Sequence, residues 1–337
     1  MTEASQPHRR RGPKSLPKLP LSAFSPPNSG TAETFLPPPG SDVQPEAVID
    51  ANVVSKGDLQ LTLAQWRKEA GQPLVARTRG IVLSLTAAEL KSVSKELDGD
   101  RITSVIVPFD LENPEPNLAT VLTLTSLPTS LSTVYKGASD ATVEGLRWAL
   151  KRDRPVDIDI QAILSDAVLE GFEDTLTKSL AELPKIPPIV LSNILPPPHD
   201  LDLPIVKLMN HPEYLAFQSQ IAALSLFPNV YIKFLPPSWD APTPQTPYPG
   251  SPVEEAEVRI LKEWKRRIKM YLSPVMEAFG YQRIIFGSSP SSSSRGPSNA
   301  GDWYEIARES LTELVVEKEF IDAVFFDNAQ RVYGVEV

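Results

Sequence analysis

The sequence predicts a (β/α)8 barrel, and three observations predict it. Eight short apolar runs, mostly β-branched, recur from residue 48 onward, as strands buried on both faces should. Segments of helical periodicity separate most of them. Runs and helices together fill roughly 240 residues, close to the usual size of about 250 for such a barrel. An open doubly wound sheet is the alternative, disfavoured because no glycine-rich turn follows an early strand.

Ahead of the barrel, residues 1 to about 45 are rich in Pro, Ser and Thr, as in "SPPNSGT" and "LPPPG". Such a segment buries too little apolar surface to offset its ordering entropy. It is expected to be disordered or to lie as a strap over a domain formed by residues 46–337. The predicted strands are "VIDANVV" (48–54), "RGIVLSL" (79–85), "ITSVIVPFD" (102–110) and "LSTVYKG" (131–137). They continue with "PVDIDIQ" (155–161), "PPIVLSNIL" (187–195), "NVYIKFLP" (229–236) and "RIIFGSS" (283–289). Among the helices, "LQLTLAQWRKEAG" closes at Gly71, because glycine tolerates the left-handed backbone of a helix end. "SDATVEGLRWALKRD" puts Val143, Leu146 and Leu150 on one face, and 204–226 repeats the pattern with Tyr214, Phe217, Ile221 and Leu224. Segment 254–279 carries Leu261, Trp264, Ile268, Leu272 and Val275. Between the third and fourth runs a loop with one turn is expected. The proline-rich stretch 236–252 is expected to lie over a barrel mouth, with Trp239 either a lid or a loop anchor.

Composition narrows the function. The net charge of −9 argues against a general nucleic-acid binder. The absence of cysteine excludes disulfides, thiolate catalysis and cysteine-based metal sites. No stretch reaches the roughly 18 apolar residues that would span a bilayer. A cytoplasmic location is expected, with no nucleic-acid or membrane partner and the arm as a site for a protein partner. "HRRRGPK" reads as a solvated basic tail, nuclear import being the alternative. "KEWKRRIK" (262–269) reads as the wet face of a helix whose dry face is Trp264 and Ile268, with a phosphate- or partner-binding patch as the alternative.

In a barrel, chemistry belongs at the C-terminal ends of the strands. Those ends carry Asn52 to Val54, Asp110, Lys136, Asp159 to Gln161, Asn193, Lys233, and Ser288 with Ser289. Asp157 and Asp159 share a strand face, as expected of a pair that caps a following loop or meets a lysine such as Lys136, a catalytic carboxylate pair being the alternative.

"YQRIIFGSSP", followed by a long helical segment and "FFDNAQRVYG" (325–334), resembles the C-terminal signature of the amidohydrolase-related family, which includes 2-pyrone-4,6-dicarboxylate lactonase-like enzymes. "VIDANVV" resembles that family's first strand, Ile-Asp-x-His-x-His. "PIVLSNILPPP" resembles its sixth and "PNVYIKF" its seventh. The resemblance implies a TIM barrel whose histidines and last-strand aspartate bind a divalent metal or polarise the substrate. Here those positions read Asn52, Val54, Asn193 and Ser289. Valine cannot ligate a metal, and asparagine is a poor substitute for imidazole.

These substitutions point to a barrel without metal or other cofactor, non-catalytic or weakly active, that binds a small molecule or a partner. Substrate-binding candidates are Lys233, Asn52, Asn193 and Asp159. The competing expectation is a metal-independent hydrolase, lactonase- or amidohydrolase-like, acting on a small carboxylate-bearing substrate. Its candidate catalytic residues are Ser289, Asn193, Asn52, Lys233 and His199. A nucleophilic Ser288 or Ser289 with His199 as base and Asp159 or Asp202 as orienter has the right residue types. No spacing requires them to meet.

Overall fold

A computed structural model describes residues 43–93, 101–161, 166–181, 183–193, 203–239, 241–247, 254–292, 294, 296–314 and 317–334. The arm up to residue 42, His199 and Asp202 lie outside the described residues. The last arm residues are tied to the domain: Val43 O accepts from Arg308 Nη1 at 2.9 Å, and Gln44 Oε1 accepts from the Tyr304 hydroxyl at 2.9 Å.

Eight strands pair in sequence order, each parallel to the next. They are β1 (Val48–Val54), β2 (Thr78–Ser84), β3 (Ile102–Pro108), β4 (Thr129–Tyr135), β5 (Val156–Ile160), β6 (Ile189–Ser192), β7 (Val230–Phe234) and β8 (Ile284–Phe286). The connecting helices are α1 (Leu59–Arg77), α2 (Ala87–Val93), α3 (Leu118–Val121), α4 (Asp140–Leu150), α5 (Asp166–Leu180), α6 (Ile205–Leu208), α7 (Pro212–Leu224) and α8 (Glu255–Phe279). After β8 come α9 (Ala300–Thr312), α10 (Lys318–Asp322), a π-helical turn (Ala323–Asp327) and α11 (Asn328–Tyr333). The alternation of runs and periodic segments is therefore a (β/α)8 TIM barrel.

Two apolar layers result. The larger packs the outer strand faces against the helices, with Trp66, Phe172, Phe217, Trp264, Tyr271 and Trp303 among its buried members. The smaller fills the lumen with Ile49, Ala51, Val82, Ile106, Val190 and Ile285, and α11 adds Ala329, Val332 and Tyr333 to it. Asn328 fixes that helix by donating to Ile284 O at 2.8 Å and Tyr281 O at 2.7 Å.

Where the elements differ from expectation, local chemistry gives the reason. The expected helix over 204–226 breaks into α6 and α7, because Pro212 holds His211 in an extended conformation, from which its Nδ1 caps the new helix at Glu213 N. Gly71, at φ 65°, ends one helical segment, but a second continues to Arg77, so α1 is kinked rather than closed there. β4 starts at Thr129, where a Thr-Ser pair that reads as loop is buried in the sheet. Trp239 is fully buried, edge-on to Trp264 at 4.7 Å, and anchors its loop. The cationic cluster of α8 is only partly wet. Lys265 bonds Glu309 at 2.9 Å and Glu313 at 2.7 Å across to α9, and Arg267 is buried against Glu263 and Leu203 O.

Candidate functional site

The mouth is organised by an irregularity in β1. Asp50 pairs with Ile81 and Val53 with Leu83, so Ala51 and Asn52 together face the single residue Val82. This bulge lets two neighbouring side chains serve different layers. Asp50 turns outward and is completely buried. Its Oδ1 accepts from Ser288 N at 2.9 Å and Asn52 N at 3.2 Å; its Oδ2 accepts from Trp66 Nε1 at 2.8 Å and from the Ser288 hydroxyl. One carboxylate thus joins β1, α1 and the end of β8. Gly287 permits the close approach: a Cβ there would lie 2.7 Å from Asn52 Cβ and 2.7 Å from Leu235 Cδ2. Ser289 N donates to Asn52 O at 2.9 Å and completes the seam between first and last strands.

Asn52 turns inward. Its Oδ1 accepts from Lys233 Nζ at 3.4 Å and its Nδ2 donates to Ser289 O at 2.7 Å. Lys233, on β7, is 2% exposed and forms a close ion pair with Asp157 on β5. The Tyr333 hydroxyl, rising from α11, donates to Asp157 Oδ1 at 2.8 Å. Burial raises the Asp157 pKa against the opposing pull of the Lys233 ammonium and the Tyr333 bond. Burial, reinforced by the Asp157 charge, raises that of Tyr333 well above the usual phenol value. The phenol therefore stays protonated and acts as a donor.

Toward solvent, Asp159 Oδ2 accepts from Ser292 Oγ at 2.6 Å and from Gln161 Nε2 at 3.1 Å. Asp159 Oδ1 is buried and has no hydrogen-bond partner among the described residues. Asn193 adopts a left-handed φ of 61°, a conformation asparagine tolerates better than most residues. Its Nδ2 donates to Ile160 O at 2.7 Å and its Oδ1 accepts from Ser238 Oγ at 2.8 Å.

The predicted residues thus separate into linked and unlinked groups. Asn52, Lys233 and Ser289 form one hydrogen-bonded set, and Asn193, just beyond β6, links the end of β5 to Ser238. Asp157 meets Lys233 rather than Lys136, which is exposed beyond β4. Asp159, two positions on, has different partners, so the two aspartates do not act as a pair. Ser288 is engaged by Asp50. Val54 is 44% exposed and offers only alkyl groups. His211 caps α7. Among the described residues, no three His, Asp or Glu side chains gather as a metal cluster. Two contributors escaped the sequence reading. Asp50 lies in "VIDANVV" two positions before Asn52, and Tyr333 is the next-to-last residue of "NAQRVYG". Nothing in spacing alone ties either to its partner.

The class defined so far is a (β/α)8 barrel with a polar mouth and a buried Lys-Asp-Tyr group beneath it. Among solved structures the chain resembles an amidohydrolase from Burkholderia multivorans with bound HEPES, at TM-score 0.56 and 14% identity over 85% of this chain and 99% of that one. A second crystal form of an amidohydrolase from that organism, with bound zinc, matches at TM-score 0.55 and 14% identity, again over 85% and 99%. At this identity the likeness is one of fold: the chain has the TIM-barrel fold of these amidohydrolases. No protein-family profile matches the sequence, and no curated protein matches it.

Proposed function

We propose that the barrel mouth is a small-molecule-binding cup without a catalytic metal, in a protein with little or no hydrolytic activity. The observation that carries the reading is the buried, unpartnered Oδ1 of Asp159. A buried acceptor left without a donor costs roughly 1–3 kcal/mol, a cost that a bound donor would remove. The ligand it suits is small and brings a donor, a hydroxyl or an amine.

The metal-free part rests on the donor set. Both ends of the Asn52 amide, and both ends of the Asn193 amide, are already bonded to protein groups. The Asn52 oxygen, where the resemblance implies an imidazole, takes a hydrogen from an ammonium that would repel a dication. These residues do not fit a divalent metal. Lys233, spent on Asp157 and nearly inaccessible, is a poor nucleophile, which weighs against the hydrolase reading.

Elemental analysis of purified protein tests the first part: stoichiometric zinc or manganese that survives dialysis would overturn it. A thermal-shift screen of polyols, amines and hydroxy acids tests the second. A hit should lose at least about tenfold in affinity in Asp159→Asn, the loss expected when a charge-assisted bond is removed. Unchanged affinity would remove Asp159 from the site.

A further inference from the structure

The opposite, N-terminal face of the barrel holds a separate cleft of about 360 Å3, whose lining includes Thr129, Ser130, Arg152, Asp153, Arg154 and Tyr333. The two arginines follow α4 and lead into β5. The Arg152 guanidinium lies over the Trp148 ring, its Cζ 3.3 Å from the centroid, and donates from one Nη to Trp148 O. Arg154 donates to Thr129 Oγ1 and to Thr129 O. Among the described residues neither guanidinium meets a carboxylate, whereas Arg147, Arg267 and Arg308 each do. Arg152 Nε is buried with no acceptor among the described residues.

The neighbouring acids do not neutralise the pair. Asp153, between them in a left-handed turn at φ 52°, is bonded to Lys185 at 3.0 Å. Asp157, deeper in the lumen, is shared by Lys233 and Tyr333. Among the described residues, two guanidinium groups without a carboxylate partner therefore line one cleft, beside an Asp153 that is paired with Lys185, in a chain of net charge −9. Guanidinium groups present planar forks of donors that match oxyanions two bonds at a time, and both retain unused N–H groups.

We propose that this cleft binds a small dianionic phosphoryl group, as inorganic phosphate or as the phosphate of a small monoester. The charge of such a group balances the two arginines. The threonine and serine hydroxyls on the cleft wall can reorient to donate to its remaining oxygens. The site is independent of the mouth and would stand if the reading given for the mouth failed.

Calorimetric titration of the full chain with inorganic phosphate, at ionic strength held constant with chloride, tests the proposal. Saturable binding should appear, weakened at least about tenfold in Arg152→Gln and more in the Arg152→Gln/Arg154→Gln double variant. Glycerol phosphate run alongside distinguishes the sources: tighter binding than phosphate assigns a monoester, and equal or weaker binding assigns the free ion. Because Arg154 also holds Thr129, hydrogen exchange of the wild-type chain provides a check that needs no variant. Phosphate should slow exchange in residues 128–132 and 150–156. Absence of saturable binding, binding unchanged in Arg152→Gln, or protection confined to other segments would each overturn the proposal.

Discussion

The Tyr333 hydroxyl donates to Asp157 Oδ1 at 2.8 Å, joining the last helix to a strand 176 positions earlier. With Lys233 on the other side of the same carboxylate, the lumen carries a buried charge pair and a phenol inside an aliphatic shell. Removing one partner strands the other's charge away from water, which costs far more than the pair contributes.

Lys233→Met is therefore expected to destabilise the fold by about 3–5 kcal/mol, and Lys233→Met with Asp157→Leu to recover much of that loss. Urea unfolding of the two single variants and the double variant closes the cycle. Additive losses would mean that the two side chains are not coupled.

Asp50→Ala leaves Trp66 Nε1 and Ser288 N buried without an acceptor. At about 1–3 kcal/mol for each orphaned donor, a total loss of roughly 2–6 kcal/mol is expected. Asp50→Asn, which keeps one acceptor, should lose less. A loss below about 1 kcal/mol for Asp50→Ala would show that the seam is held elsewhere.

Gly287→Ala pushes a methyl against Asn52 and Leu235 where β8 meets β1. Overpacking of this kind costs about 1–3 kcal/mol. The strain should appear as a lower melting temperature and faster amide exchange at Ser289, whose N–H bonds Asn52 O.

The clamp between α8 and α9 sets a pH dependence. Burial raises the Glu313 pKa, but the bonds from Lys265 and Lys269 outweigh it, and the net shift is downward. A carboxylate with a depressed folded pKa contributes stability that is fully present above its unfolded value and lost as pH falls through the folded one. Glu313→Gln should therefore be less stable than the parent at neutral pH, with the difference shrinking as pH drops below about 4.5, the ordinary glutamate value. Lys265 shifts upward, its two glutamate bonds outweighing burial, so its share persists at neutral pH and fades only as pH rises through its folded value. Denaturant unfolding of both proteins from pH 3 to pH 7 checks the sign; a gap that widens on acidification would contradict it.

Much of the barrel was legible because its strands are buried on both faces and carry continuous β-branched runs. β1 matches its run, 48–54, and β3 begins where its run does, at Ile102. The last strand was harder to bound: only Ile284–Phe286 pairs as strand, since beyond it Ser288 bonds the Asp50 side chain instead of a ladder. At the site, only the shared strand-end position of Asn52, Asn193, Lys233 and Ser289 was legible. That Lys233 would choose Asp157 over the mouth was not, because the choice depends on how far each strand is staggered against its neighbours.

Alone, the order of residues determined the run of alternating strands and helices, the parallel topology it entails and the absence of thiol chemistry. Those properties follow from side-chain type and local periodicity, which every short segment carries within itself. The tertiary structure decided which groups satisfy one another. It assigned Asp50 to Trp66 and Ser288, gave Asp157 to Lys233 and Tyr333, and, among the described residues, left Asp159 Oδ1 without a donor and Arg152 Nε without an acceptor. Such pairings are made between residues far apart in the chain, and only closure of the barrel brings them within hydrogen-bonding distance.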